Sequence, residues 1–342
     1  MTDTVDTQPK TQAFSFGEAE SVNSYYELLT HFQCVHNGSF YELPYSINAH
    51  AKYFYTLLYL RSALQLKADI LTSCYIPHPL LDRQEFAKLA IDYLWFGNAY
   101  TERVLSRTGK LLQLKHSPAK YTRADKDGNY KFITQPHQFD QSETIHNFGK
   151  DSIHHLLQPD VNQEIYGVPE WLPAVQSAQL NEAATKFRLR YYNNGSHAGY
   201  ILYITDPQMN EDDIDELKTA LKNSKGPGNF RNLMLYSPNG EKDGLKLLPI
   251  SEVAAKDEFF NIKSVSRDDQ LAAARVPPNI LGIVPTNTSG FGPVIDAAKV
   301  FARNEVLPLQ NRFTAINSWL GQQIIAFVPY KVEPDDEENK TK

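Results

Sequence analysis

Apolar residues near the start of the chain recur with the spacing of α-helices. Two such segments span residues 48–73 and 82–96. The second segment places apolar side chains on one helical face, at i, i+3, i+4 and i+7: Phe86, Leu89, Ala90 and Tyr93. Asp82 is positioned to cap the N-terminus of this helix, and Gly97 follows as a stop signal. Two helices are therefore expected in the first third of the chain.

A region of alternating apolar residues follows, from residue 99 to residue 148. Turn signals at Thr108-Gly109 and Asp127-Gly128 divide it into short segments, which predicts a small antiparallel β region. A third helix is expected over residues 168–192. Apolar residues form a stripe along it: Leu180, Ala184, Phe187 and Tyr191.

The middle of the chain predicts a β-α-β-β unit. Strand patterns at residues 199–204, 233–236 and 245–250 accompany a helix at 210–223. The acidic residues of that helix come first and its lysines last, which matches the helix dipole. The unit is expected to be an insertion carried between two long helices.

The second of these long helices is expected over residues 252–275. It should end at Val276-Pro277-Pro278, because the residue before a proline is pushed out of the α region. A last helix is expected over residues 293–320, with a kink at Pro308. Only a short apolar strand and an acidic run are expected after it.

Composition and charge narrow the function classes. The chain has 342 residues, 42% of them hydrophobic, so it can form real cores, and its length suggests about two domains. The net charge of −6 argues against a general nucleic-acid coat. The two cysteines, Cys34 and Cys74, show no metal or disulfide spacing, and no secretion signal or membrane span is expected.

The charge is unevenly distributed along the chain. Residues 101–131 contain eight basic and three acidic residues, a net charge of +5 that leaves −11 for the rest. The candidates for a basic surface strip are Arg103, Arg107, Lys110, Lys115, Lys120 and Arg123. Such a strip would attract a polyanion or an acidic protein, and a solvated strand face is the simpler interpretation.

Motifs for catalysis are scarce. The sequence has no Walker A loop, no His-Glu-x-x-His and no nucleophile elbow. A metal-dependent hydrolase would have to use the histidines near Asp151, namely His137, His146 and His154. His154 and His155 are adjacent on a predicted strand, so they should point to opposite faces. We therefore expect no enzyme and no cofactor, with this hydrolase as one alternative.

Several motifs in the same order resemble the portal proteins of tailed bacteriophages, and most of all the PBSX-like portals of contractile-tailed phages. They include the runs at residues 96–100, 165–170, 191–199, 224–232 and 266–269, followed by Val276-Pro277-Pro278. The resemblance extends from about residue 14 to residue 330, which is nearly the whole chain.

The resemblance implies an elongated α+β portal fold without a substantial C-terminal crown. It divides the chain into a disordered N-terminus (1–24), a wing (25–160 and 293–330), two stem helices (161–198 and 251–278), a β-α-β-β clip (199–250), a channel loop (279–292) and a disordered acidic tail (331–342).

The resemblance also implies the function. Portal proteins form rings, usually dodecamers, at one capsid vertex, where they nucleate head assembly with scaffold and major capsid protein. They dock the terminase during packaging and later bind head-completion and tail proteins. Double-stranded DNA passes through the channel and is expected to bind weakly and non-specifically. Such a protein belongs to the virion and, during assembly, to the host cytoplasm.

Two groups of site residues follow from the resemblance. The channel-loop candidates are Thr286, Asn287, Thr288, Ser289 and Phe291. The stem candidates, facing either the lumen or a neighbouring subunit, are Lys256, Lys263, Arg267, Asp268 and Asp269. A monomeric adaptor that binds an acidic partner through residues 101–131 is the second alternative.

Overall fold

The computed structural model describes residues 34–134, 144–193, 200–204, 245–249, 255–283 and 294–331. Both helices and strands are present, which confirms the α+β expectation. Five expected features lie wholly or mostly outside the described residues: the N-terminus at 1–24, the helix at 210–223, the strand at 233–236, the channel loop and the acidic tail at 331–342. Among the described helices, none combines the length and apolar character needed to cross a membrane.

The first predicted helix is two helices in the structure. They are α1 (Ile47–Thr56) and α2 (Leu58–Cys74), separated at Leu57, whose φ of −89° and ψ of 81° are not helical. The next helix, α3 (Arg83–Phe96), is confirmed together with both of its signals. The Asp82 side chain accepts a hydrogen bond from the Glu85 N–H, and Gly97 ends the helix in the left-handed conformation with φ of 69°.

The β region forms two antiparallel sheets of three strands each. The strands are β1 (Asn98–Leu105), β2 (Leu111–Ser117), β3 (Thr122–Ala124), β4 (Tyr130–Thr134), β5 (Thr144–Asn147) and β6 (Ile153–Leu157). One sheet has the order β2-β1-β6 and the other β3-β4-β5. Thr101 of β1 pairs with His116 on one side and with His154 on the other. The predicted β region is thus confirmed and continues to Leu157.

The chain then enters its first long helix through a 3-10 turn, Leu172–Ala174. The helix itself, α4 (Val175–Asn193), begins later than the predicted residue 168. The predicted apolar stripe is only partly the buried face, because Ala184 is 6% exposed whereas Leu180 and Phe187 are 51% and 45% exposed. The Tyr191 side chain lies outside the described residues. The buried positions also include Ala178 and the polar Asn181, since α4 packs against another helix through a polar seam.

Two short strands and a second long helix follow. The strands β7 (Tyr200–Ile204) and β8 (Leu245–Pro249) pair in antiparallel orientation, which confirms two of the three predicted strands. The long helix α5 (Ala255–Ala273) lies within the predicted range. The helix ends before Pro277, and a 3-10 turn, Pro278–Leu281, starts at the second proline.

The last helical segment is interrupted by a π-helical turn. It contains α6 (Val294–Phe301), the π turn (Ala302–Val306), α7 (Leu307–Phe313) and α8 (Ala315–Leu320). A proline lacks an N–H and its ring crowds the carbonyl four residues earlier, so the irregularity expected at Pro308 takes the form of a wider turn just before it. The Leu307 N–H bonds to the Ala302 carbonyl, five residues back.

One hydrophobic core joins the helices, the first sheet and the last segment. The Trp95 and Trp171 rings lie 4.8 Å apart, and Phe86 stacks on Tyr75 at 4.3 Å and meets Phe313 at 5.2 Å. The apolar stretch after α8 is not a full strand. It makes a single bridge, between Tyr75 and Phe327, although its side chains at 324 and 325 are buried in the core.

Candidate functional site

The two long helices, α4 and α5, are antiparallel and joined by polar side chains. Ser177 Oγ donates to Asp269 Oδ2 at 2.8 Å, and Asn181 Nδ2 donates to the Lys263 carbonyl at 3.2 Å. Further along α4, Thr185 Oγ1 accepts from Lys263 Nζ at 2.8 Å. Two of the predicted stem residues, Lys263 and Asp269, therefore contact the other long helix of the same chain.

The centre of this helix pair is a buried polar contact that the sequence pattern did not reveal. Asn181 is 5% exposed and Ser266 is 2% exposed. Asn181 Nδ2 donates to Ser266 Oγ at 2.7 Å, and that hydroxyl donates to the Ile262 carbonyl at 2.6 Å. Because a buried amide is stable only where its partners are in place, this contact fixes the register of the two helices.

The remaining stem candidates interact locally. Arg267 Nε donates to Asp268 Oδ1 at 2.8 Å, and Arg267 also reaches Ser264 Oγ at 3.2 Å. Burial, together with the nearby charge of Arg188, lowers the pKa of Lys263. The Lys256 side chain lies outside the described part of α5. Whether these residues face a lumen or a neighbouring subunit stays a prediction.

A buried lysine lies where α5 leaves the core. Lys67 of α2 is 3% exposed, and its Nζ donates to the Ala274 carbonyl at 3.1 Å and to Glu305 Oε2 at 3.0 Å. Arg275 Nη1 donates to the other oxygen of Glu305, Oε1, at 3.4 Å. One carboxylate on the π turn thus joins α2 to the end of α5.

The polar network continues through Glu170 towards α3 and α7. Gln158 Nε2 donates to Glu170 Oε1 at 2.6 Å, and Arg275 Nη2 lies 3.8 Å from Glu170 Oε2. Arg312 Nη1 donates to Gln158 Oε1 at 2.6 Å and to the Tyr93 hydroxyl at 2.9 Å. Side chains that are far apart in sequence therefore contact one another near the start of α4 and the end of α5.

The channel-loop candidates lie in the segment between residues 283 and 294. Thr286, Asn287, Thr288, Ser289 and Phe291 are all outside the described residues. The described chain before them ends at Ile283, shortly after α5, and resumes at Val294 with α6. Their predicted role in a channel stays a prediction.

Two of the motifs that carry the portal resemblance meet in space. The Asn98 side chain donates to the Gly167 carbonyl at 2.8 Å and accepts from the Gly167 N–H at 2.7 Å. A side chain at Gly167 would collide with the Gly97 carbonyl oxygen. The runs at 96–100 and 165–170 thus form one tightly packed junction between α3, β1 and the segment that leads into α4.

The predicted basic strip is wrong for Arg123, which is 7% exposed. Its guanidinium donates to three main-chain carbonyl oxygens, those of Ala119, Lys120 and Thr122. A guanidinium can be buried in this way because carbonyl acceptors replace its water. Charge counting along the sequence does not detect such acceptors.

The other basic residues do not share one face of the sheet. Arg103 pairs opposite the buried Leu114, whereas Lys115 pairs opposite Glu102, so adjacent positions place their side chains on opposite faces. Arg103 lies 5.3 Å from the Trp319 ring.

The other three candidates of the basic strip are Arg107, Lys110 and Lys120. Arg107 and Lys110 are exposed at the β1–β2 connection. Lys120 lies 5.3 Å from the Tyr121 ring.

The histidines of the hydrolase alternative do not converge. His154 and His155 pair with Thr101 and Tyr100 respectively, which confirms that they point to opposite faces of the sheet. His155 Nε2 lies 2.9 Å from Asn98 Oδ1 within the motif junction, while His146 is exposed on β5. His137 lies outside the described residues. In the part of the chain that the structure describes, no group of three or more His, Cys, Asp or Glu could hold a metal ion.

Known proteins share both the sequence and the fold. The family model for phage portal protein matches residues 75–339. The chain is 45% identical over 330 residues to the probable portal protein of Escherichia phage P2, covering 96% of this chain and 94% of that protein. The probable portal protein of Haemophilus phage HP1 is 36% identical over 247 residues, 72% of each chain.

Solved structures share the fold of this chain. A chain from the virion of the native gene transfer agent (GTA) particle matches with a TM-score of 0.59 at 19% identity over 87% of each chain. An HK97 family phage portal protein from Corynebacterium diphtheriae matches with a TM-score of 0.57 at 14% identity, over 82% of this chain and 94% of that chain. The hydrolase and adaptor alternatives have no such support, and the chain belongs to the phage portal protein family.

Proposed function

We propose that the chain assembles into a closed ring, a dodecamer, at one vertex of a phage capsid and has no catalytic activity. Family membership over residues 75–339 supports a structural role in a phage particle. A closed ring requires two different contact faces on each subunit, because each copy binds its neighbours head to tail. The neck of the native GTA particle, to which the chain is similar in fold, was computed with C12 symmetry.

The helix pair α4–α5 is the observation that carries this proposal. Both helices start or end in the core, and a polar seam fixes their register. The paired strands β7 and β8 bring together the two ends of the residues between the helices. This arrangement supports a stem (161–198 and 251–278) that carries a clip (199–250), with the core parts (25–160 and 293–330) as the wing. Residues 171–178 of the first stem segment also pack in that core.

The channel formed by the stem would let double-stranded DNA slide. Each phosphate that a protein neutralises adds affinity and hinders movement, so an acidic subunit favours translocation. The net charge of −6 and the ion pair of Arg267 with Asp268 agree with weak, non-specific contact. The loop at 279–292 would face this channel.

The partners follow from a place at the capsid vertex. We propose that the ring nucleates head assembly with scaffold and major capsid protein, docks the terminase during packaging, and then binds head-completion and tail proteins. Assembly would take place in the host cytoplasm. No membrane contact forms part of this function.

Negative-stain microscopy and native mass measurement of the purified chain test the ring directly. Rings should form in at least one of several salt and protein concentrations, and a strictly monomeric protein in all of them would contradict the proposal. Val265→Glu introduces a charge on α5 at a side chain that is 62% exposed. This variant tests whether that face of α5 contacts a neighbouring subunit in the ring. Leu112→Glu is the matched control, because Leu112 is 54% exposed on the β2 strand.

A further inference from the structure

A small cavity lies where the two long helices meet the core. Its volume is about 20 Å³, which is enough for one water molecule, since a buried water needs about 10 to 15 Å³. The other lining residues are leucines and Trp171, and the polar side chains and the end of α5 contribute the rest: Lys67, Tyr93, Gln158, Glu170, Ala273 and Ala274. A buried water also needs about two to four polar partners, so the hydrogen-bonding capacity of this lining decides whether one can bind.

The end of α5 has main-chain carbonyl groups that no helical N–H can reach. The carbonyls of Ala273 and Ala274 would normally bond to the N–H four residues later, but those residues are Pro277 and Pro278, which have none. The Ala274 carbonyl accepts from Lys67 Nζ at 3.1 Å instead. Among the described residues, no donor bonds to the Ala273 carbonyl. One carbonyl of a cavity-lining residue therefore needs a donor.

Lys67 and Glu170 have complementary capacity for hydrogen bonds. An ammonium group carries three donors, and within the described structure Lys67 Nζ uses one on the Ala274 carbonyl and one on Glu305. The lysine side chain is 3% exposed, so its third N–H lies away from bulk solvent. Glu170 Oε2 lies 3.8 Å from Arg275 Nη2, which is too long for a hydrogen bond and is a separation that a water often bridges. An N–H donor and a carboxylate acceptor thus line the same cavity.

We propose that this cavity binds one ordered water molecule. The water accepts a hydrogen bond from Lys67 Nζ and donates to the Ala273 carbonyl and to Glu170 Oε2. About three hydrogen bonds are typical of a buried water. The three groups belong to α2, to the end of α5 and to the segment that leads into α4, so the water joins both long helices to the core. This site does not depend on ring formation.

Hydroxyl radicals generated inside the protein by an X-ray pulse test the site, because they form from bound water and label the nearest side chains. Tyr93 lines the cavity and is 2% exposed, whereas Tyr75 is 1% exposed and is not part of the lining. In the full chain, Tyr93 should be labelled several-fold faster than Tyr75, although both rings are shielded from bulk solvent. Mass spectrometry of the digested protein gives the two rates.

Two variants of α5 show whether the label comes from this cavity. Ala273→Val enlarges a lining residue and should slow the labelling of Tyr93 to the rate of Tyr75. Ala272→Val is the matched control, because Ala272 is exposed and is not part of the lining, so it should leave the rate unchanged.

Three results would overturn the proposal. One is equal labelling of Tyr93 and Tyr75 in the unaltered chain, a comparison that needs no variant to fold. Another is fast labelling of Tyr93 that persists in a folded Ala273→Val protein. The third is an equal loss of labelling in Ala272→Val, since the effect would then not come from filling the cavity.

Discussion

Lys67 and Glu305 form a buried ion pair, with 3.0 Å between Nζ and Oε2. The lysine side chain is 3% exposed and the glutamate side chain 13%. Lys67 also donates to the Ala274 carbonyl, at the end of α5. The end of α5 precedes the segment 284–293, and the π turn follows that segment. Lys67 therefore contacts the chain on both sides of the predicted channel loop.

Glu305→Gln should destabilise the fold by about 3 kcal/mol, since it leaves a buried lysine without its counter-charge. Chemical denaturation followed by circular dichroism measures the change. Glu182→Gln is the matched control, because Glu182 pairs with Lys186 on an exposed face of α4. That control should cost less than about 1 kcal/mol. Equal losses in the two variants would show that burial of the Lys67 pair is unimportant.

The sequence predicted the regular helices well because local signals mark their ends. Asp82 and Gly97 bound α3 as expected. The break at Leu57 has no such signal: neither glycine nor proline is present, and a 1% exposed leucine is held by tertiary packing. The π turn does have a signal in the sequence. The buried residues Phe301 and Val306 are five positions apart, one residue more than the i, i+4 spacing of an α-helix.

Gly167→Ala should be strongly destabilising, because a Cβ at this position would meet the Gly97 carbonyl oxygen and lie 2.5 Å from the Gln158 amide nitrogen. Main-chain atoms cannot move aside as a flexible side chain can. Gly149→Ala is the matched control, since its Cβ would meet only Ser152 atoms at 3.9 Å. Thermal unfolding should show a clearly lower Tm for Gly167→Ala alone. Similar Tm values would refute the close packing of the two motifs.

Arg123→Glu and Lys115→Glu should differ sharply, although both reverse one charge of the predicted basic strip. Arg123→Glu places a carboxylate among three carbonyl oxygens, so we expect a loss of about 3 kcal/mol or more. Lys115 is exposed on β2, and its reversal should change stability by less than about 0.5 kcal/mol. Urea unfolding of both variants gives the comparison. A stable Arg123→Glu protein would mean that its guanidinium is not buried.

Acid should weaken the fold through the partly buried His154 and His155. Burial lowers the pKa of His154 to about 4, and burial together with the neighbouring His154 lowers that of His155 to about 3. The unfolded chain binds these protons near pH 6.5, so stability is complete above that pH and is lost as the pH falls towards 3. Each histidine contributes a slope of about 1.4 kcal/mol per pH unit between pH 6.5 and its own pKa in the folded chain.

His155→Phe should remove one such slope between pH 6 and about 4, even if the lost contact with Asn98 lowers stability overall. Denaturation midpoints measured across this range give the slope directly. His146→Phe is the control, because His146 is exposed on β5. An unchanged slope in His155→Phe would show that His155 is protonated equally in the folded and unfolded chain.

The candidate site was less predictable than the fold. Residues such as Lys263 and Asp269 stand out as charges on a long helix, but their partners Thr185 and Ser177 lie about 80 to 90 positions away in sequence. Periodicity reports which face of a helix is apolar and says nothing about a polar seam. For the same reason, Asn181 gave no signal before the fold placed Ser266 beside it.

Deleting residues 286–291 tests the channel-loop assignment. The deletion removes all five loop candidates, while the Lys67–Glu305 pair and the α4–α5 seam are left intact. Rings should therefore still form, as negative-stain microscopy would show. Packaging or retention of DNA should fall, because the loop would no longer contact DNA in the channel. Unchanged phage yield would refute the assignment, and loss of rings would show instead that the loop is needed for assembly.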